Sequence, residues 1–225
     1  RISIINSQRR CSNEIWNLVS KNYPNIYTAT NEDSLLEIKK LEPFSKDTYG
    51  IINTEFKNGK CEKSHQSWIN KESASATIKL MVKLCNQIYS KQLISKKLLD
   101  TKIAVITPYK AQANLIKEKY SELNSKSYYK NIHIDIGTVH KYQGSSADIV
   151  ILDLVDGFGK KNLGRLLNGN NGERLINVAI TRAQGKFYLV IDLKWIKTVK
   201  DQQRLNNMLL DDYIFNSVKQ LVYNA

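Results

Sequence analysis

"DIVILDLV", residues 148–155, is the stretch on which the fold turns. Ile149, Val150, Ile151 and Leu152 follow one another with no polar residue between them. A strand that alternated apolar and polar would have one wet face; this one needs cover on both. "KFYLVID" (186–192) holds a second run of the same kind, Phe187 to Ile191. "KIAVIT" (102–107), "IHIDIGTV" (132–139), "GIINTEF" (50–56) and "RISII" (1–5) read as further strands. Between them lie stretches with helical periodicity, expected at about 12–22, 71–91, 109–122, 173–183 and 206–222. In the second of these Ile78, Val82 and Cys85 form a stripe for burial. Strands alternating with helices predict an α/β fold, a doubly wound and mostly parallel sheet joined by crossover helices.

The 225 residues fit one large domain, with no internal repeat or linker that would divide them. Residues 38–70, with their lysines, Pro43, Gly59 and Trp68, read as a loop-rich excursion. Residues 156–172, "DGFGKKNLGRLLNGNNG", carry five glycines and read as a long surface loop. Lys plus Arg number 34 against 21 Asp plus Glu, a net charge of +13 that favours a polyanionic partner. Cys11, Cys61 and Cys85 are far apart, without the spacing of a disulfide framework or a zinc site, so a reducing, intracellular and cytoplasmic setting is expected and no metal site. No apolar run approaches the ~18 residues that a membrane span needs. The opening "RISIINSQRR" has no signal-type apolar segment and starts abruptly, as part of a longer chain would.

Two strings carry the chemistry. "DIGTVHKYQGSSADIVILDL" (135–154) runs from a strand through a turn with Thr138, His140, Gln143 and Gly144 into the buried strand. Ligands of doubly wound sheets bind beyond the carboxyl ends of strands, which puts this turn in position. Thr138 offers a hydroxyl, Gln143 both donates and accepts, and Gly144 allows close approach of backbone; an internally satisfied turn fits the same residues. "RLINVAITRAQ" (174–184) reads as a buried helix, yet Arg174, Asn177 and Thr181 share one polar stripe, with Arg182 beside its end. A buried guanidinium needs an anion. An external phosphate and an internal carboxylate such as Asp148 or Asp153 both qualify. The phosphate-wrapping string G-x-x-x-x-G-K-[ST] does not occur, and neither does a strand ending in Asp-Glu for magnesium.

Taken together, "TVHKYQGSSADIVILDL", "LGRLLN" and "RLINVAITRA" resemble motifs V and VI of superfamily 1 helicases, in the branch of RNA-surveillance and DNA-processing enzymes. "QRRC" (8–11) resembles the Tyr-Arg segment at the start of that family's second motor domain. "WINKESASA" (68–76) resembles its Asn-x-x-Glu helix start, and "IAVITPYKAQ" (103–112) its strand-Thr-Pro-Tyr segment. The resemblance spans nearly the whole chain and implies a RecA-like domain, the second of two that clamp ATP between them. ATP and Mg2+ would be held mainly by the first such domain, and this part alone is expected to be inactive.

By the same resemblance Arg182 matches the arginine finger and Arg10 a second γ-phosphate contact, the two catalytic residues. Gln143, Gly144, Arg9 and Arg174 fall on the ATP side. Thr138 would hold a strand phosphate, and His140, Thr107, Pro108, Tyr109 and Gln112 would lie along a channel for single-stranded DNA or RNA. Arg9 stands where the family has a base-stacking tyrosine, and Ser146 where it often has a ribose-contacting glutamate. The implied function is ATP-driven movement along nucleic acid. Its rivals are a non-catalytic nucleic-acid-binding or docking module that keeps the fold, and a motor subunit of a nuclease or defence complex.

Overall fold

The computed structural model describes residues 7–8, 10–20, 23, 26–28, 35–54, 60–95, 98–123, 129, 131–142, 144–165, 167–201 and 222–224. The expected strand at 1–5, nearly all of the expected helix at 206–222, and Arg9 and Gln143 lie outside them.

In chain order, β1 (Ser7–Gln8) leads to Ser12, whose hydroxyl accepts from the Ile15 amide and caps α1 (Asn13–Asn17). β2 (Tyr27–Thr28), α2 (Leu36–Lys39) and β3 (Tyr49–Asn53) follow. Next come a hairpin of β4 (Cys61–Ser64) and β5 (Ser67–Asn70), then α3 (Lys71–Ser95) and β6 (Thr101–Thr107). α4 (Lys110–Leu123), β7 (Ile132–Thr138), a 3-10 turn (Val139–Tyr142) and β8 (Ala147–Asp153) form the next stretch. α5 (Gly169–Ile180), β9 (Ala183–Ile191), α6 (Leu193–Asp201) and β10 (Val222–Asn224) complete the order.

Among the described residues the main sheet runs β10-β3-β9-β8-β6-β7 with every neighbouring pair parallel. Its two faces are read off alternate residues. Ile149 and Ile151 join Ile103, Val105 and Val190 against Met81, Leu84 and Ile88 of α3 and Ile116 of α4. Val150 and Leu152 join Ile106, Phe187 and Leu189 against Ile15 of α1, Ile180 of α5 and Ile196 of α6. Burying each such aliphatic side chain contributes about 1.5–3 kcal/mol, so the uninterrupted apolar runs are the main source of the fold's stability.

The stretch 38–70 is not the loop-rich excursion expected of its composition. It holds the end of α2, a sheet strand and the hairpin. α1 is shorter than the expected 12–22, and α5 starts earlier than 173. Lys186, just before the second apolar run, is 0% exposed. Its ammonium donates to the carbonyls of Lys39 (2.7 Å), Leu41 and Phe44 (2.8 Å), which uses all three of its hydrogens. Burial pulls its pKa down to about 7.

Candidate functional site

A parallel sheet has a carboxyl edge and an amino edge, and the turn after β7 visits both. Thr107 pairs with Thr138 where β6 and β7 end, at the carboxyl edge. The chain then recrosses the sheet: Val139 and Tyr142 pack into the core, and the Tyr142 hydroxyl donates to the Val105 carbonyl at 3.5 Å. Gly144 to Ser146 therefore emerge just before Ala147, at the amino edge. With seven residues at about 3.3 Å each, the two edges lie roughly 20 Å apart. Thr138 and His140 thus stand at one edge and Gly144 at the other, which corrects the expectation that the whole turn lies beyond the carboxyl ends. Gly144 adopts φ +93, a conformation natural only to glycine, and an added Cβ would meet nothing within 4 Å.

Arg182 is at the amino edge with Gly144. α5 ends at Ile180, the Thr181 hydroxyl turns back to donate to the Asn177 carbonyl at 2.9 Å, and Arg182 leads into β9. Its side chain is 9% exposed. Nε donates to the Val178 carbonyl (3.2 Å) and one terminal nitrogen to the Ser145 carbonyl (3.0 Å). Among the described residues no carboxylate forms an ion pair with it. Asp148 instead accepts from the Lys102 amide at 2.7 Å, and Asp153 ends β8 at the opposite edge. Neither internal carboxylate that could have explained the arginine does so.

Burial, and secondarily the charge of Arg10, lower the Arg182 pKa from its ordinary value. The Arg10 segment is set by Gln8, whose side-chain oxygen accepts from the Arg10 (2.8 Å) and Cys11 (3.1 Å) amides. The Ser12 amide binds the Gln184 carbonyl at 2.9 Å, two residues past Arg182. Arg10 is exposed, and so is Arg174 on α5. The charge of Arg10 thus bears on Arg182, and among the described residues neither arginine has a carboxylate in an ion pair with it.

The carboxyl edge holds a groove of about 910 Å3. Pro108, Tyr109, Thr138 and His140, expected along the channel, line it. Tyr109 is only 6% exposed and its hydroxyl donates to Asp156 at 2.8 Å, so it offers little surface to the groove. Thr107 and Gln112 are corrections: both are 0% exposed. The Gln112 amide accepts from the Asn70 amide (2.9 Å) and donates to the Asn70 carbonyl (3.0 Å) and to Asp153 (2.7 Å). It braces the groove from behind and reaches no ligand. Trp68, His65, Lys110 and Arg165 also line the groove. Sequence reading missed Trp68 and His65 as contacts because the hairpin was hidden in a lysine-rich stretch, and Lys110 opens α4 directly after the Thr-Pro-Tyr segment. Arg165 stood in "LGRLLN", where the glycine and arginine together were the available signal.

The wall behind the groove rests on Asp153. Ser73 and Gln112 side chains and the Val155 amide (3.0 Å) donate to it. Asn70 in turn caps α3 by accepting from the Ser73 amide at 3.0 Å. Burial raises the Asp153 pKa from 3.8 to about 6 against the lowering effect of its donors. The folded state therefore keeps a proton that the unfolded chain has lost between those values, and the resulting stability, full below pH 3.8, is lost as pH rises through about 6. Subtracting the unfolding free energy of Asp153→Asn from that of the wild type at each pH should give a difference that falls between pH 4 and 7. A flat difference would remove protonation from the account.

The glycine-rich stretch runs as a loop as far as Asn168, with Phe158, Gly159, Lys161, Asn162 and Arg165 exposed, and is pinned from within. Lys160 and Asp156 form an ion pair at 2.5 Å whose side chains are 6% and 1% exposed. The Lys160 ammonium lies 4.6 Å from the Trp68 ring and 5.1 Å from the Tyr109 ring. The Gly164 amide donates to Asp156 and the Trp195 indole to the Lys160 carbonyl (2.9 Å). Close approach requires the glycine: a Cβ on Gly164 would sit 1.8 Å from the Tyr109 hydroxyl. From Gly169 onward the stretch is already α5.

The chain matches the family model described as AAA domain over residues 1–194. It is 32% identical over 97 residues to "Helicase sen1" of Schizosaccharomyces pombe, covering 43% of this chain and 5% of that protein. It is 27% identical over 228 residues to an uncharacterized ATP-dependent helicase of Methanocaldococcus jannaschii, covering 90% of this chain and 30% of that one. The C-terminal domain of a "possible DNA helicase" from Lactobacillus plantarum WCFS1 superposes over 96% of this chain and 98% of its own at 11% identity and a TM-score of 0.43. The chain thus spans less than a third of either of these two relatives. With the motifs laid out along a parallel sheet and the family model matching most of its length, the chain belongs to the AAA domain family and is a superfamily 1 helicase domain.

Proposed function

We propose that this is the second motor domain of an ATP-dependent helicase or translocase, completing an ATP pocket that it shares with a preceding RecA-like domain. What carries the reading is the amino edge, where Arg182 has no carboxylate partner among the described residues and the charge of Arg10 bears on it. Those groups fit a triphosphate. Bound ATP would supply a phosphoryl group for transfer to water. Arg182, held by two carbonyls in a partly desolvated position, would stabilise the charge developing on that group. Arg10 would be a second contact, with Gly144 leaving the approach open. By the resemblance of the motifs, Mg2+ would be held mainly by the preceding domain, beside the phosphates of ATP.

At the carboxyl edge the groove and the net charge of +13 support single-stranded nucleic acid as the second ligand. Closure and opening of the shared cleft would move the two domains along the strand. Three free, buried cysteines support a reducing, cytoplasmic location. The test is ATP hydrolysis by the full-length protein with and without a single strand, alongside strand binding over a range of salt. Hydrolysis should rise with the strand, and log affinity should fall linearly with log salt, with a slope of about −0.7 per phosphate neutralised. A folded full-length protein that neither hydrolyses ATP nor binds a strand would overturn the proposal.

A further inference from the structure

We infer that Tyr23 is a positioning residue for Arg182: its hydroxyl, holding the Asn177 side chain, ties the segment that carries Arg10 to the last turn of α5, from which Arg182 is aimed. This rests on the shared ATP pocket proposed above and goes beyond it in naming what holds the two arginine-bearing segments together.

The need for such a tie is electrostatic. Two cations repel, and among the described residues neither arginine has a carboxylate in an ion pair that would offset the repulsion. A carboxylate there would also occupy the charge that an anionic ligand has to find free. An uncharged strut holds the segments and leaves both guanidinium groups unspent.

Tyr23 is built as that strut. On one side its ring stacks on Trp16 of α1 with centroids 5.4 Å apart, and α1 is capped by Ser12, two residues past Arg10. On the other its hydroxyl accepts from the Asn177 amide, a contact between residues 154 apart in the chain. Asn177 opens the last turn of α5. Its carbonyl accepts from the Thr181 hydroxyl at 2.9 Å, and the next carbonyl, of Val178, accepts from Arg182 Nε at 3.2 Å. The backbone of Tyr23 is fixed in turn, its amide donating to the Ser20 carbonyl at 2.9 Å and its carbonyl accepting from the Ile26 amide at 3.2 Å. Arg182 registers these neighbours: burial and then the charge of Arg10 lower its pKa, and Tyr23 acts in the opposite direction.

Asn177 is a poor choice for stability alone. Its side-chain oxygen is buried without a hydrogen-bond partner among the described residues, a cost that an apolar side chain of similar size would not carry. What the side chain offers in return is its hydrogen bond to Tyr23.

The test is ATP turnover by the full-length protein, with a thermal melt beside it. Tyr23→Phe keeps the stack on Trp16 and loses the hydroxyl. Its kcat should fall about 10-fold, because a small displacement of a catalytic group is amplified in the rate, while KM for ATP stays at the wild-type value. Its melting temperature should stay within about 4 °C of the wild type, the effect of one hydrogen bond. Asn177→Leu breaks the same tie from the other side and should lower kcat as much, with a melting temperature equal to the wild type's or higher. In an Arg182→Ala background Tyr23→Phe should cost nothing further, since it acts through that side chain.

Wild-type kcat in a folded Tyr23→Phe protein would overturn the inference. A raised KM at unchanged kcat would do the same, by making the hydroxyl a contact of the nucleotide, and so would a further loss in the Arg182→Ala background. An Asn177→Leu protein that melts lower and turns over normally would reduce the bond to packing. A folded full-length wild type that hydrolyses no ATP would end the shared-pocket reading itself, before any variant is compared, and this inference with it.

Discussion

If the proposed function holds, replacing Arg182 with alanine in the full-length protein should lower ATP turnover by about 10^3-fold or more, with strand binding close to that of the wild type. The magnitude is that of removing an arginine finger, whose charge acts on the transition state and little on the ground state. The separation of the two effects comes from the fold. Arg182 precedes β9 at the amino edge, and the groove lies roughly 20 Å away at the carboxyl edge. Arg182 also holds the Val178 and Ser145 carbonyls, so alanine loosens the turn into β9 as well as deleting the charge. Arg182→Lys separates these contributions. It retains a cation but not the planar fork that satisfies both carbonyls and an anion together, and its turnover should stay far below the wild type. Steady-state hydrolysis with saturating single strand, read beside a thermal melt, is the measurement. Wild-type turnover in a well-folded Arg182→Ala protein would strip this residue of the role.

The largest expected loss of stability comes from Asp156→Ala. The carboxylate accepts from Lys160, from the Tyr109 hydroxyl at 2.8 Å and from the Gly164 amide, all at an almost fully buried position. Its removal leaves an ammonium with no counter-charge between two rings. Breaking a buried pair by deleting one partner costs about 3–5 kcal/mol. In a chain of this size each kcal/mol shifts the melting temperature by roughly 2–4 °C, so a fall of about 6–20 °C is expected. The double variant Asp156→Leu with Lys160→Met should recover much of that loss, because it removes the charge that was stranded as well as its partner. Calorimetry or denaturant unfolding of the three proteins decides it. A loss below about 1 kcal/mol in Asp156→Ala would mean that water reaches Lys160 and the pair is not the pin of the glycine-rich stretch.

That stretch shows where sequence reading loses its hold. Five glycines within seventeen residues look like a solvated loop, because composition reports backbone freedom and says nothing of what the chain folds against. The Asp156–Lys160 pair closes only when Trp68 from the hairpin and Tyr109 from the start of α4 stand on either side of it. Those partners are some 50 to 90 residues distant in the chain. Gln112 failed for a related reason. A polar residue one turn into α4 has no local mark to say whether it faces a ligand or an internal carboxylate, and here it faces Asp153. Lys186 is similar: a lysine among apolar residues looks exposed until the segment 39–44 folds over it with three carbonyl oxygens.

The sequence by itself determined that Ile149–Leu152 and Phe187–Ile191 would be covered on both faces, that the sheet would be parallel, and that arginine ends a helix otherwise made for a core. These are properties of short-range periodicity, and side-chain alternation carries them within a few residues. Only the tertiary structure decided at which edge each polar residue emerges and what, if anything, neutralises it. Gly144 and Thr138 are six residues apart in the chain yet stand at opposite edges of the sheet, because the connection between two parallel strands must travel their full length. Whether Arg182 meets Asp148, Asp153 or neither depends in the same way on strand order and crossover path, which are set by long-range packing rather than by the residues that flank it.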